Sequence, residues 1–250
     1  MIAQGLHLQP LLAAAARLYR SAFAPVALVS CLFALPYAAA DSAARRLGLS
    51  FLDSAQLRGS VQLVLGMAGS VAVARLYLLA ATREENLTLL AALRVAARRW
   101  PAGLAVGLVS GLAMGIGTAL LVVPGVIVAL NLSMALPLLA ATDLDANQVL
   151  RRSAALVLGH RKRLFPTFAI AWLATAALST GVEQVAEWLA GALAHPVAGF
   201  AIDFGYEAAA GMLEAGLTAV LVAAYLGLVP TDSAREPGAG PAKAEPLGPD

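Results

Sequence analysis

Few side chains in this sequence could do chemistry inside an apolar medium, and the spacing of those few limits what the chemistry can be. Asp203, Glu207 and Glu214 fall at intervals of four and seven, which puts three carboxylates on one face of a helix with 3.6 residues per turn. Glu214 is the deepest of them in its apolar run, and a carboxylate there needs an ionic or hydrogen-bonding partner. Arg75 is the one basic residue inside a run, near enough to its end to snorkel. An Arg75–Glu214 pair would satisfy both charges, yet at about 1.5 Å per residue they stand roughly 10–15 Å apart in depth. Asn131, close to Pro137, adds an amide. Arg75, Asn131, Glu207 and Glu214 together form the candidate intramembrane polar site, suited to holding a small or amphiphilic solute.

Catalytic alternatives lack their residues. His7, His160 and His195 form no i,i+4 pair and have no carboxylate at ligand spacing, so no metal site is expected. The single cysteine, Cys31, excludes an internal disulfide and a cysteine metal cluster. No G-x-S-x-G, P-loop or dinucleotide glycine pattern occurs, and the expectation is a protein that is not an enzyme and carries no cofactor. The Arg161-Lys162-Arg163 run could attract acidic headgroups or nucleic acid; with an apolar span following directly, it reads as a cytoplasmic charge anchor, and no nucleic-acid partner is expected.

The elements that must position these residues are membrane helices. Of 250 residues 60% are hydrophobic and 13% charged, against about 45–50% and about 25% in soluble domains. Six runs approach the roughly 20 apolar residues that a helix needs to cross hydrocarbon, at about 23–40, 61–81, 102–123, 126–142, 164–181 and 205–229. Pro124-Gly125 separates the third from the fourth, predicting a tight turn between antiparallel neighbours. Most of the 17 Lys and Arg fall on alternate connections, which places both termini in the cytoplasm by the positive-inside rule. The weak point is the first outer loop, which keeps Arg45, Arg46 and Arg58. Net charge is only +2. Ala38-Ala39-Ala40 could end a signal peptide, but its basic leader would be unusually long, so a retained first span is expected.

The fold predicted is all-α: a polytopic membrane protein of six transmembrane helices in three hairpins, with cytoplasmic interfacial amphipathic helices. Residues 1–21 form a cytoplasmic amphipathic segment, 22–229 the transmembrane domain, and 230–250, rich in proline and glycine, a disordered cytoplasmic tail. Three spans start alike, with basic residues, an aromatic and a proline: Arg17 and Arg20 before Phe23-Ala24-Pro25, Arg98 and Arg99 before Trp100-Pro101, Arg161 to Arg163 before Phe165-Pro166. This pattern fits either a threefold repeat or the flanks any inward-starting span selects. Asp143 to Gly159 and Leu87 to Arg99 have one apolar face each, and Leu11 to Tyr19 reads similarly. Arg151 and Arg152 lie on the polar side of the first of these. Such helices either recognise anionic lipid or a partner, or simply anchor the topology.

Gly103, Gly107, Gly111 and Gly115 make three successive G-x-x-x-G intervals, a face that lets another helix approach; a groove for a lipid tail is the other reading. Pro137 removes the hydrogen bond to the Ser133 carbonyl, predicting a kink beside Asn131.

The stretch LVVPGVIVALNLSMALPLLAATDLDANQVLRRSAALVLGHRKRLF, residues 121–165, resembles the YciC-like six-span bacterial inner-membrane proteins and the membrane domain that accompanies some glycerophosphodiester phosphodiesterases. The positions that carry the likeness are Pro124, Gly125, Pro137, Arg152, Ser153, Leu156, Val157 and Gly159. The resemblance implies an integral bacterial inner-membrane protein acting in envelope or lipid homeostasis, with no catalytic residues; the phosphodiesterase activity belongs to a separate soluble domain and does not carry over. Two functions are therefore expected: a non-catalytic envelope protein working through helix packing, membrane-lipid contact or assembly with a membrane-protein partner or second copy, or a transporter using the candidate polar site.

Overall fold

Side-chain caps open some of the helices in this chain, and positive-φ glycines follow the ends of some. In the computed structural model, which describes residues 8–82, 88–120, 122–193 and 196–229, α1 (Leu8–Ser21) is followed by α2 (Phe23–Arg46). Gly48, at φ 62°, lies just beyond α2, and the Leu47, Gly48 and Leu49 N–H groups donate back to its last carbonyls. The Ser50 hydroxyl accepts the Asp53 N–H to open α3 (Phe51–Val61). One π-helical turn, Gln62–Gly66, joins α3 to α4 (Met67–Thr82). Then come α5 (Leu89–Leu120), α6 (Val122–Leu132), α7 (Ala135–Ala141) and α8 (Ala146–Val157). Asp145 and Gln148 form a capping box at the start of α8, and Gly159, at φ 88°, follows its end. Two 33-residue helices, α9 (Arg161–Leu193) and α10 (Pro196–Leu228), are the last elements of the described residues.

Among the described residues every element is helical, and six runs are long and apolar enough to cross a membrane: Phe23–Arg46, Leu52–Thr82, Leu89–Gly117, Val123–Ala141, Arg161–Leu193 and Ala198–Leu228. The chain is thus an all-α protein with the composition of a multi-pass membrane protein. Residues 1–7, with His7, the expected tail at 230–250 and His195 lie outside the described residues.

Several expected boundaries move. The segment 182–204, read as an outer connection, is helical except at 194–195, which are not described. At 1.5 Å per residue α9 and α10 each run about 50 Å, well beyond a hydrocarbon core of about 30 Å. Charged residues end a hydropathy run but not a helix, because the backbone ladder continues wherever water can solvate the side chains. For the same reason span two begins near Leu52, not residue 61. The segment expected as a separate interfacial helix before span three is instead continuous with it in α5; its first residue, Leu87, is not described.

The turn expected at Pro124-Gly125 does not fall on those residues. Both residues lie within α6, with Pro124 in its first turn, where a missing N–H costs little. Pro137 acts more strongly than a kink: α6 ends at Leu132, Ser133 and Met134 form a turn, and α7 restarts beyond it.

The core lies at the end of the bundle that carries α1, α7 and α8. Val71 to Leu79 of α4, apart from half-buried Arg75, meet Leu138 and Leu139 of α7 and Thr218 to Tyr225 of α10, with Leu11 of α1 and Val149 and Val157 of α8 closing the cluster. Tyr77 is wholly buried and donates its hydroxyl to the Ala215 carbonyl at 3.0 Å. In α9 only Leu164 and Thr167 are buried. Its Ile170, Trp172, Leu173 and Trp188 are exposed, a surface suited to hydrocarbon.

Candidate functional site

Toward the opposite end, adjoining this core at Val29, Val73 and Ala215, α2, α3, α4 and α10, with Ser179 of α9, separate around a cavity of about 200 Å³. Three glycines bring its walls together. A Cβ at Gly66 would meet the Tyr37 hydroxyl at 3.1 Å, one at Gly69 the Phe33 ring at 3.3 Å, and one at Gly211 the Ser30 Cβ at 3.2 Å. Small residues here let α2 lie closely on α4 and α10, as in membrane helix packing generally. The lining is polar for its depth: Ser30 and Tyr37 from α2, Arg58 and Gln62 from α3 and the π turn, and Glu207, Glu214 and Thr218 from α10.

The π turn supports one wall. One extra residue in a helical turn leaves a carbonyl free of its usual partner, and the Trp100 indole N–H of α5 donates to the Val64 carbonyl at 2.6 Å. Gln62 and Gly66, the first and last residues of the turn, both line the cavity.

Three acids in and beside this cavity are paired by arginines from the end of α2 and from α3. Arg58 donates to Glu207 at 2.5 Å, lies 3.5 Å from Asp41, and places its guanidinium 5.6 Å from the centre of the Tyr206 ring. Glu207 is 9% exposed, so the pair is largely desolvated on the acid's side. Arg45 pairs with Asp203 one turn before Glu207. Glu214 lines the same cavity and is exposed, and no basic side chain lies within 4.0 Å of its carboxylate among the described residues.

The candidate grouping of Arg75, Asn131, Glu207 and Glu214 is therefore divided. Glu207 and Glu214 do share a face and a cavity, with Glu207 the more buried of the two. The Arg75–Glu214 pair does not form. Arg75 is half-buried in α4 without an ion pair among the described residues, and its Nε has no hydrogen-bond partner. Asn131 belongs elsewhere: its side-chain oxygen accepts from Arg161 Nε at 3.0 Å and its carbonyl from the Ser153 hydroxyl at 2.7 Å, tying α6 to α8 and α9. Of the basic residues expected at the interface, Arg151, Arg152, Lys162 and Arg163 are exposed, whereas Arg161 is engaged with Asn131.

The glycine face divides too. Cβ atoms at Gly103 and Gly107 would meet Met67 at 3.8 and 2.9 Å, while Gly111 and Gly115 face open space. An equally close approach, against backbone and not a flexible side chain, is one the four-residue spacing does not mark: a Cβ at Gly117 would lie 2.9 Å from the Gly125 Cα.

Sequence reasoning missed Arg58 because it treated residues before 61 as loop. The signal was present as opposite charge at the same end of neighbouring spans: Arg45 and Arg58, two of the three arginines that weakened the charge count, pair with Asp203 and Glu207 of span six. No family model matches the chain, and no curated protein or solved structure matches it.

Proposed function

We propose that this chain is a bacterial inner-membrane protein of six spans in three hairpins, both termini cytoplasmic, that binds and passes a small or amphiphilic solute through the cavity between α2, α3, α4 and α10. It needs no catalytic step of its own. The observation that carries this reading is Glu214, a carboxylate without a charge partner among the described residues, in a cavity whose other acid is already matched by Arg58. Carboxylates at membrane depth are costly enough that one left unmatched beside a cavity points to a solute.

The proposed orientation draws support from the ion pairs. Arg45 and Arg58, two of the three outer basic residues, are matched by acids, so little free positive charge remains on that side to oppose the rule. The exposed Arg151 and Arg152 of α8, on the far side from buried Val149, Ser153 and Val157, favour an interfacial helix at the cytoplasmic surface.

A second reading, support of envelope or lipid homeostasis in the manner of the YciC-like family, is favoured by α9, in which Ile170, Trp172, Leu173 and Trp188 are exposed and only Leu164 and Thr167 are buried among the described residues. That surface suits lipid contact or a membrane-protein partner.

Reconstituted vesicles decide between them. Solute flux that falls at least tenfold in Ala210→Trp, which fills the cavity, and in Glu214→Gln supports the transporter. Equal flux in all three proteins, with folding intact, removes it in favour of the second reading.

A further inference from the structure

The walls of the cavity already show how they receive a cation. Arg58 sits with its charge on the Glu207 carboxylate and its plane near the Tyr206 ring. One carboxylate and one aromatic face together make a site for a weakly hydrated positive group. The same cavity holds a second carboxylate about two turns further along α10, Glu214, and two further aromatic rings, Tyr37 and Phe33 of α2, and among the described residues no Lys or Arg lies within 4.0 Å of that carboxylate.

We propose that the cavity's solute is a hydrophobic organic cation, a single ammonium group carrying an apolar body, with Glu214 as its counter-charge and Phe33 and Tyr37 as its aromatic walls. Three observations narrow the class. The formal charges lining the cavity are Arg58 against Glu207 and Glu214, an excess of one negative charge that an anion would aggravate and a neutral solute would leave unmatched. A volume of about 200 Å³ is far more than a bare metal ion occupies, and an alkali ion would seek a close cage of oxygens rather than rings. Tyr206 also lines a second, mostly apolar groove between α9 and α10, formed by Val182, Val185, Ala186, Leu189 and Ile202, so an apolar surface for the body of a bound cation adjoins the charged cavity at that ring.

This assignment rests on the reading of the cavity as a solute site, and the experiment separates the two. Benzyltrimethylammonium, its uncharged carbon isostere neopentylbenzene, and benzenesulfonate are each dialysed against the full chain in nanodiscs, with empty nanodiscs as reference. The ammonium probe is expected to bind, and to bind at least tenfold more weakly in Glu214→Gln and in Ala210→Trp, while the other two show no excess over empty discs. Binding of the uncharged or anionic probe that Ala210→Trp abolishes would overturn the cation assignment and leave the cavity as a solute site. Absence of binding by all three, or binding that Ala210→Trp leaves unchanged, would overturn both. Should Glu214→Gln fail to fold, discrimination among the three head groups on the unaltered chain still decides the charge class.

Discussion

Arg58 holds the charge balance of the cavity, because it touches Glu207, Asp41 and the Tyr206 ring together. Replacing it leaves a carboxylate that is 9% exposed without its partner. A fully buried pair broken in this way costs about 3–5 kcal/mol; the Arg58 side chain is 40% exposed, so water screens part of the interaction and Arg58→Gln is expected to cost about 1–3 kcal/mol. Thermal unfolding in detergent checks this, and adding Glu207→Gln to the same chain is expected to restore part of the loss by removing the stranded charge. Equal melting of the single and double variants would show that the pair is not what the first substitution removed. At this scale the sequence was half legible. The helical spacing of Asp203, Glu207 and Glu214 located the acidic face, since that follows from period alone. Their partners were hidden because a pair joining residues 58 and 207 depends on which helices become neighbours, and local pattern carries no such information.

Among the elements, the close approach of α5 to α6 and of α5 to α4 can be separated by single methyl groups. Gly117→Ala drives a Cβ to 2.9 Å from the Gly125 backbone, which has nowhere to go, so a destabilisation of about 1–3 kcal/mol is expected. Gly107→Ala meets the flexible Met67 side chain, which can swing aside, and the loss should be smaller. Gly111→Ala meets nothing and should be neutral or stabilising by up to about 1 kcal/mol through helix propensity. Melting temperatures ranked in that order support the packing; Gly111→Ala as the most damaging would overturn it. Trp100→Phe keeps the ring but frees the Val64 carbonyl, for about 1 kcal/mol. The number of apolar runs and a disturbance at Pro137 were legible, because both follow from composition and from proline's missing donor, whereas the full break there, in place of the expected kink, was not. The lengths of α9 and α10 were not: Glu183, Glu187 and Asp203 interrupt the apolar runs without interrupting the backbone hydrogen bonds.

For the whole molecule, the division between a packed end and an open end follows the division of charge. The basic residues near α1, α8 and the start of α9 gather at the packed end, and the acid-matched Arg45 and Arg58 at the other. The proposed orientation is checked with the sole cysteine removed. In a Cys31→Ser background, Leu49→Cys should react with a membrane-impermeant maleimide added to cells or right-side-out vesicles, and Lys162→Cys only after permeabilisation. The reverse pattern would invert the topology. The π turn has an effect that reaches across this architecture. Each residue advances a helix by about 100° around its axis, so the surplus residue at Gln62–Gly66 sets the angular phase between α3 and α4. Loss of a single codon there would leave the reading frame, the hydropathy and the span length nearly untouched while turning Arg58 away from Glu207, so for this chain an in-frame deletion of one residue would disturb the cavity more than many exchanges of side chain.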